Sequence, residues 1–199
     1  MARPRAFDET DALDAAIDCF WRRGYGATSV RDLGDEMRLG SASLYNAFRD
    51  KRTLFLRALD RYLDGTMRER IARLERSLPP KHAVKAFIDE IVDRSVNDPE
   101  QRGCMLINAA AEFGSRDHAL GAEIAERLDE LQGFFRRRIA AGRADGSIPR
   151  ERDPAELARL MLGVVVAIRV LARVRPERAL LKGIAKPALS LLDRRKDER

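Results

Sequence analysis

A run of small and polar side chains in the first quarter of the chain could together hydrogen-bond to a nucleic acid. In order, these residues are Ser41, Ala42, Ser43, Tyr45 and Asn46, with Leu44 among them. Asparagine can form two hydrogen bonds with the edge of an adenine, and serine can bond to either kind of base pair. Because small residues also let a helix backbone come close to base edges, this face is predicted to lie in a DNA major groove.

Residues beside this run could contact the phosphate backbone. Tyr45 and Lys51 can reach phosphate oxygens, and such contacts fix a protein on the duplex without reading its sequence. Thr28 opens a short predicted helix whose N-terminal amides would form another phosphate site. Arg31, in the first turn of that helix, completes the candidate DNA-binding set.

Helical periodicity predicts the elements that would position these side chains. A first helix is expected over residues 8–23, ended by Gly24 and Gly26. Its apolar side chains, three and four residues apart, predict one buried stripe: Leu13, Ile17, Phe20 and Trp21.

A second, short helix is expected to start at Thr28 or Ser29, with Asp32 placed for a capping box. Its predicted inner face consists of Val30, Leu33 and Met37. Gly34 lies on a different face, where glycine costs about 1 kcal/mol relative to alanine. A close helix crossing would explain that glycine.

Residues 38–40 form the expected turn, and residues 41–48 form a third helix with Leu44 and Phe48 facing inward. Asp50 is placed to cap a long fourth helix over residues 51–77. A helix, a three-residue turn and a second helix with an exposed polar face predict a helix-turn-helix, whose second helix enters the major groove.

This stretch resembles the TetR family of bacterial transcriptional regulators over about 50 residues. The resemblance rests on Phe20, Gly24-Tyr25, residues 27–33, Ser43-Leu44-Tyr45, Phe48, Asp50-Lys51 and Leu54-Phe55. It implies that Tyr45, Lys51 and Thr28 match phosphate contacts of the family, and that Ser41, Ala42, Ser43 and Asn46 face the bases.

The sequence departs from the family pattern at three positions around the turn. Many members have glycine where this chain has Arg38, and Ser or Thr where it has Gly40, itself a serviceable cap. Ser41 stands where a basic residue is frequent, so a cationic contact at that point is not expected from the resemblance.

The rest of the chain is predicted to be a helical body. Pro79-Pro80 interrupts the helical pattern, and apolar periodicity then predicts helices over residues 81–97, 103–114, 118–142, 153–174 and 177–193. The expected fold is all-α, with about nine helices: a three-helix DNA-binding head over residues 1–53 and an effector-binding and dimerisation domain over residues 54–199.

The resemblance in the body is looser and implies a ligand domain and a homodimer. Residues 102–108 resemble the opening of a ligand-domain helix, and residues 146–149 resemble the loop before the dimer helices. The last two helices would then pair with those of a partner as a four-helix bundle. Apolar positions 157, 160, 161, 164, 165, 168 and 171 form a band wider than one core stripe, which dimerisation explains better than a monomer core.

Polar groups among apolar residues could line an effector cavity in this body. Asn108 and Glu112 are four residues apart and share a helix face. A satisfied core hydrogen bond or a solvent edge are the alternatives. The candidate effector-binding residues are Phe87, Ile91, Cys104, Met105, Asn108 and Glu112.

Cys104 also raises the alternative of a thiol-based redox or electrophile sensor, since a nearby Arg102 could lower the pKa of its thiol. A lone cysteine on an apolar helix is more often an inert small hydrophobic residue. Near the N-terminus, Arg3 and Arg5 could form an arm that touches phosphate or minor groove, or a frayed end.

Composition and charge exclude several classes of protein. A formal charge of +6 permits nucleic-acid binding, but residues 1–53 contain nine basic and nine acidic side chains, so net charge does not locate the DNA-binding end. Two cysteines give no disulfide framework or metal spacing, which favours the reducing cytoplasm, and no segment is predicted to be a signal peptide or a membrane span. No enzymatic motif, metal site or cofactor site is recognised.

Together these features predict a ligand-responsive transcriptional regulator and not an enzyme. It would be a homodimeric repressor, released from a palindromic double-stranded operator by an unknown small-molecule effector. A helical adaptor or nucleoid-type binder without an effector is the other alternative.

Overall fold

The computed structural model describes residues 8–113 and 117–193, and every regular element in those ranges is helical. Arg3 and Arg5 lie outside the described residues. The chain divides into two compact units, the first ending at Thr66 and the second beginning at Met67. The boundary after residue 53 between the DNA-binding and effector-binding domains stays a prediction.

The first unit contains four helices whose ends follow from their capping residues. They are α1 (Glu9–Arg23), α2 (Val30–Met37), α3 (Ser41–Phe48) and α4 (Lys51–Leu63). Asp8, Ser29 and Asp50 cap α1, α2 and α4 by accepting hydrogen bonds from backbone amides of the first turn. These bonds satisfy amides that have no partner within the helix.

α1 and α4 pack together and hold the aromatic centre of the unit. The Phe20 ring meets Phe55 edge to face at 5.1 Å, and Trp21 meets Tyr62 at 4.9 Å. The predicted stripe of α1 is partly wrong. Leu13 and Phe20 are buried, but Ile17 and Trp21 are only half-buried, because the tightest packing is made by smaller residues of α1: Ala12, Ala16 and Cys19.

The predicted fourth helix is observed as α4, a π-helical segment at Asp64–Arg68 and α5 (Glu69–Ser77). In the π segment the backbone hydrogen bonds connect residues five apart instead of four, so the turn is wider than in an α-helix. The apolar periodicity of the sequence did not indicate this segment. Counted as predicted, with residues 51–77 as one helix, the described part of the chain has nine helices.

The second unit is a bundle built around the longest helix. Its remaining helices are α6 (Pro80–Val96), α7 (Met105–Phe113), α8 (His118–Ala144), α9 (Pro154–Leu171) and α10 (Arg178–Ser190). Both α6 and α9 pack on α8, and three phenylalanines meet in the core with ring centroids 5.2–5.3 Å apart: Phe87, Phe134 and Phe135. Within the described ranges, no helix is long and apolar enough to span a membrane.

Candidate nucleic-acid interface

α3 presents the polar face that its sequence predicted. Leu44 and Phe48 are buried and anchor the helix against the head. The opposite face is exposed and consists of Ser41, Ala42, Ser43, Tyr45 and Asn46. The hydroxyl and amide groups that could bond to base edges are therefore accessible, and the apolar anchors Leu44 and Phe48 keep the helix on the head.

The start of α2 is fixed by a complete capping box. The Ser29 hydroxyl accepts from the Asp32 amide at 3.1 Å, and Asp32 accepts from the Ser29 amide at 2.8 Å. These bonds lower the pKa of the Asp32 carboxyl to about 2, because hydrogen bonding to Ser29 favours the charged form. Arg23 adds an ion pair to the same carboxylate at 2.6 Å.

Thr28 is placed differently from the other predicted phosphate contacts. Its side chain is 1% exposed, and its hydroxyl donates to the Gly24 carbonyl at 2.6 Å. The buried hydroxyl fixes the loop between α1 and α2 and is turned away from solvent. Any phosphate contact here falls to backbone amides of α2 and to Arg31, whose side chain is 92% exposed.

Lys51 is held above an aromatic ring at the start of α4. Its ammonium nitrogen lies 4.1 Å from the centroid of the Tyr25 ring, a cation–π contact. Tyr25 itself packs against Phe20 and Phe55, so the ring that supports the lysine is anchored in the aromatic centre. The sequence marked Lys51 as a candidate contact but did not indicate that Tyr25 would position it.

Gly34 explains the tight turn between α2 and α3. A Cβ atom at this position would lie 2.8 Å from the backbone oxygen of Leu39, closer than real Cβ contacts allow. The close neighbour is thus the carbonyl of the turn itself, whereas the sequence had suggested a helix crossing. The glycine permits the turn to close over α2 and so fixes where α3 begins.

Comparison with known proteins agrees with this geometry. Residues 12–58 match the family described as "Bacterial regulatory proteins, tetR family", and residues 80–186 match "Tetracyclin repressor-like, C-terminal domain". The chain belongs to the TetR family. It is therefore a DNA-binding transcriptional regulator, and the predicted all-α fold with an N-terminal helix-turn-helix is confirmed.

Individual relatives cover nearly the whole chain. The HTH-type transcriptional regulator YezE of Bacillus subtilis is 30% identical over 97% of this chain and 100% of its own length. The HTH-type transcriptional repressor ComR of Escherichia coli is 30% identical over 86% of this chain and 82% of its own. A cysteine mutant of the TetR-family regulator CifR, solved with a 26-base-pair operator DNA, is 33% identical with a TM-score of 0.85, covering 96% of this chain and 100% of CifR.

The body positions its candidate effector residues on α6, on α7 and just before α7. Phe87, Ile91 and Met105 are buried, whereas Cys104, Asn108 and Glu112 are half-buried. Both α6 and α7 pack on α8 and α9. Whether these six side chains surround one ligand stays a prediction.

Asn108 already has hydrogen-bond partners within the TetR-family body. Its amide nitrogen donates to the Arg102 carbonyl at 2.9 Å, and its oxygen accepts from Arg173 at 3.3 Å. These bonds match the alternative of a satisfied core asparagine. A ligand that used this amide would have to replace at least one of them.

Three arginines of the body are buried, Arg70, Arg127 and Arg169, and the first and last of them bond to other elements. Arg70 pairs with Glu90 at 3.0 Å and lies over the Phe87 ring, and burial lowers its pKa. Arg169 donates to the Ser95 hydroxyl at 3.0 Å and to the Gly103 carbonyl, which ties the loop before α7 to α9. The burial of these two arginines could not be recognised from the sequence, because nothing in their spacing separates a buried arginine from a surface one.

A groove of about 580 Å³ between α6 and α10 is lined by other residues. Its charged lining is Lys85, Asp89, Lys182, Lys186 and Asp193. None of the candidate effector residues lines it.

Proposed function

We propose that this regulator is a cytoplasmic homodimeric repressor whose heads bind a palindromic operator through α3. The observation that carries the proposal is the exposed, uncharged face of α3 between the anchoring side chains Leu44 and Phe48. Ser41, Ala42, Ser43 and Asn46 would face the bases, and Tyr45, Lys51 and Arg31 would contact phosphates.

The C-terminal helices support dimerisation through an exposed apolar stripe of α9. Leu160 is 40% exposed, Val170 48% and Val174 75%, although all three are apolar. With Gly163 and Ala167, Leu160 and Val170 follow a spacing of three and four residues on α9, as in a helix–helix seam, and Val174 lies in the turn after the helix. The predicted band was too wide, because positions 157, 161, 164, 165 and 168 are buried within the chain itself.

Two heads related by a twofold axis suit a palindromic site. Half-sites about one helical turn apart, roughly 34–36 Å, require a pair of recognition helices. A symmetric dimer would provide that pair from one kind of chain.

The proposed effector would bind in the body near Phe87, Ile91, Cys104, Met105, Asn108 and Glu112. It can release the operator only if it prefers the form that does not bind DNA. Converting a 99:1 population into 1:99 requires about 5.5 kcal/mol of differential affinity. Relatives named as repressors support repression, and the free thiol of Cys104, on which the thiol-sensor alternative rests, is half-buried.

DNA binding is tested with a fluorescent duplex selected from a random-sequence pool by the wild-type protein. Lys51→Ala should weaken binding to selected and random duplexes alike. The slope of log affinity against log salt should flatten by about one per lost phosphate contact, hence by about two per dimer. Lys186→Ala, which removes an exposed lysine from α10, is the matched control and should leave the slope unchanged.

Failure of the wild-type protein to select any duplex would overturn the proposed function. A wild-type slope for Lys51→Ala would remove only Lys51 from the phosphate contacts. The effector site is tested by screening small molecules for release of the selected duplex and then by Met105→Trp, which should abolish release while DNA binding persists.

A further inference from the structure

The recognition helix α3 is flanked by two arginines in backbone conformations that arginine rarely adopts. Arg38 in the turn before α3 has φ 53° and ψ 39°, the left-handed helical region. Arg49 directly after α3 has φ 68° and ψ −56°. The Asp50 amide donates across it to the Phe48 carbonyl at 2.7 Å, so Arg49 is the central residue of a γ-turn with positive φ, a rare and strained turn.

Glycine would adopt either conformation without strain. A side chain with a Cβ atom crowds the backbone when φ is positive, and glycine is the usual residue at such positions. Stability alone would therefore favour glycine at both ends of α3. Two arginines in strained backbone suggest that the side chains serve a purpose outside the fold.

The two side chains are exposed and available. Neither guanidinium group makes an ion pair or side-chain hydrogen bond with any residue in the ranges 8–113 and 117–193. Arg49 interacts electrostatically with the neighbouring Asp50. Other head arginines differ, since Arg22, Arg23 and Arg61 each bond to a carboxylate at 2.6 Å.

Their positions fit the two edges of a groove occupied by α3. The Arg49 amide still donates to the Tyr45 carbonyl at 2.8 Å, so Arg49 is the C-cap of α3, four residues after Tyr45 and three after Asn46. Arg38 lies two residues before Gly40, the N-cap of α3. The exposed face of α3 between them carries no charge.

We propose that Arg38 and Arg49 bind DNA phosphates at the two ends of the recognition helix. The inference rests on the proposed docking of α3 in the major groove. The two arginines supply the positive charge that the face of α3 lacks, and their backbone strain is retained because the DNA contacts require the side chains. Phosphate contacts of this kind set affinity and register, not base preference.

Replacement by glycine should move stability and DNA binding in opposite directions. Arg38→Gly and Arg49→Gly remove strain, so the Tm of the full chain should rise by roughly 2–4 °C. Each should also flatten the salt slope by about one per protomer, hence about two per dimer, on both a selected duplex and a random-sequence duplex. A residue with a purely structural role would not produce this pair of opposite effects.

Replacement by glutamine separates charge from backbone. Arg38→Gln and Arg49→Gln keep the strained φ and remove the charge, so the Tm should stay near wild type while the salt slope flattens as for glycine. Arg49→Lys restores the charge and should restore the slope. Arg136→Gln, on the exposed face of α8, removes an equal charge from the other unit and should change neither quantity.

Wild-type slopes for both glutamine variants would overturn the proposal, whatever the glycine variants do to the Tm. If only one glutamine variant flattens the slope, the phosphate contact is overturned for the other arginine. If the wild-type protein itself binds no duplex, that result would instead contradict DNA binding by this head. The Lys51→Ala variant provides the reference slope change for one phosphate contact per protomer.

Discussion

Substitution of Gly34 by alanine should damage the head although alanine is the better helix former. Gly34 is buried in α2, and its carbonyl accepts from the Leu39 amide at 2.8 Å, which closes the turn. A methyl group would lie 2.8 Å from the Leu39 oxygen, which is backbone and cannot rotate away. The turn must therefore shift. Because α3 begins at Ser41, two residues after Leu39, this shift would reach the start of α3.

The magnitude follows from two opposing contributions. Alanine in place of glycine inside a helix stabilises by about 1 kcal/mol. Forcing a methyl group into closely packed space costs about 1–3 kcal/mol. The free energy of unfolding should therefore fall by up to about 2 kcal/mol. DNA affinity should fall as well, because a shifted turn displaces the face of α3.

Gly121→Ala is the matched control for this prediction. Gly121 lies in α8, and a Cβ atom there would have no neighbour within 4 Å. This variant should gain up to about 1 kcal/mol in urea denaturation and keep wild-type DNA binding. If Gly34→Ala is stabilised as much as Gly121→Ala and binds DNA like wild type, the steric argument about the turn is refuted.

Three further predictions concern charge and assembly. Asp32→Asn should lower the Tm at pH 7. Because the pKa of the Asp32 carboxyl is depressed in the folded protein, its contribution to stability is complete above the unfolded pKa of 3.8 and is lost as pH falls through about 2. Thermal melts of the variant and the wild type should therefore converge over that window. Leu160→Glu should shift the protein from dimer to monomer in sedimentation velocity, and a dimer that persists would remove α9 from the interface. Tyr25→Leu should weaken duplex binding in anisotropy titrations, because Lys51 loses the aromatic ring beneath its ammonium group. The salt slope should stay as in wild type, because Lys51 keeps its charge. A slope as flat as that of Lys51→Ala would show that Lys51 requires the Tyr25 ring to contact phosphate.

The head could be predicted in detail because its signals are local. Capping residues, turn length and apolar spacing depend on residues within about four positions of each other, and they indicated the exposed face of α3. The burial of Thr28 was not predictable in this way. Its hydroxyl bonds to Gly24, only four residues away, but the sequence does not show whether a threonine before a helix caps that helix or anchors the preceding loop.

The body was predicted only in outline because its contacts connect distant parts of the chain. Arg169 bonds to Ser95 and to the carbonyl of Gly103, more than 60 residues away. Periodicity places such a residue on a helix but does not give its partner. For the same reason the band on α9 was too wide, since the sequence does not distinguish the face covered by α8 from the face left exposed.

The zero net charge of residues 1–53 is compatible with DNA binding because of the partners to which the acidic groups bond. Asp8 and Asp50 cap helices, and Asp32 completes a capping box while pairing with Arg23. The remaining acidic partners bond to arginines between helices: Glu9 to Arg57, Asp14 to Arg61, and Glu36 to Arg22. An acid bound in this way neutralises an arginine that serves the fold, whereas Arg38 and Arg49, at the two ends of α3, have no carboxylate bonded to them within residues 8–113 and 117–193. A head with no net charge can therefore present a positively charged edge to DNA. Replacing Glu36 by glutamine should disturb the packing of α1 against α2 more than it changes the salt slope of DNA binding.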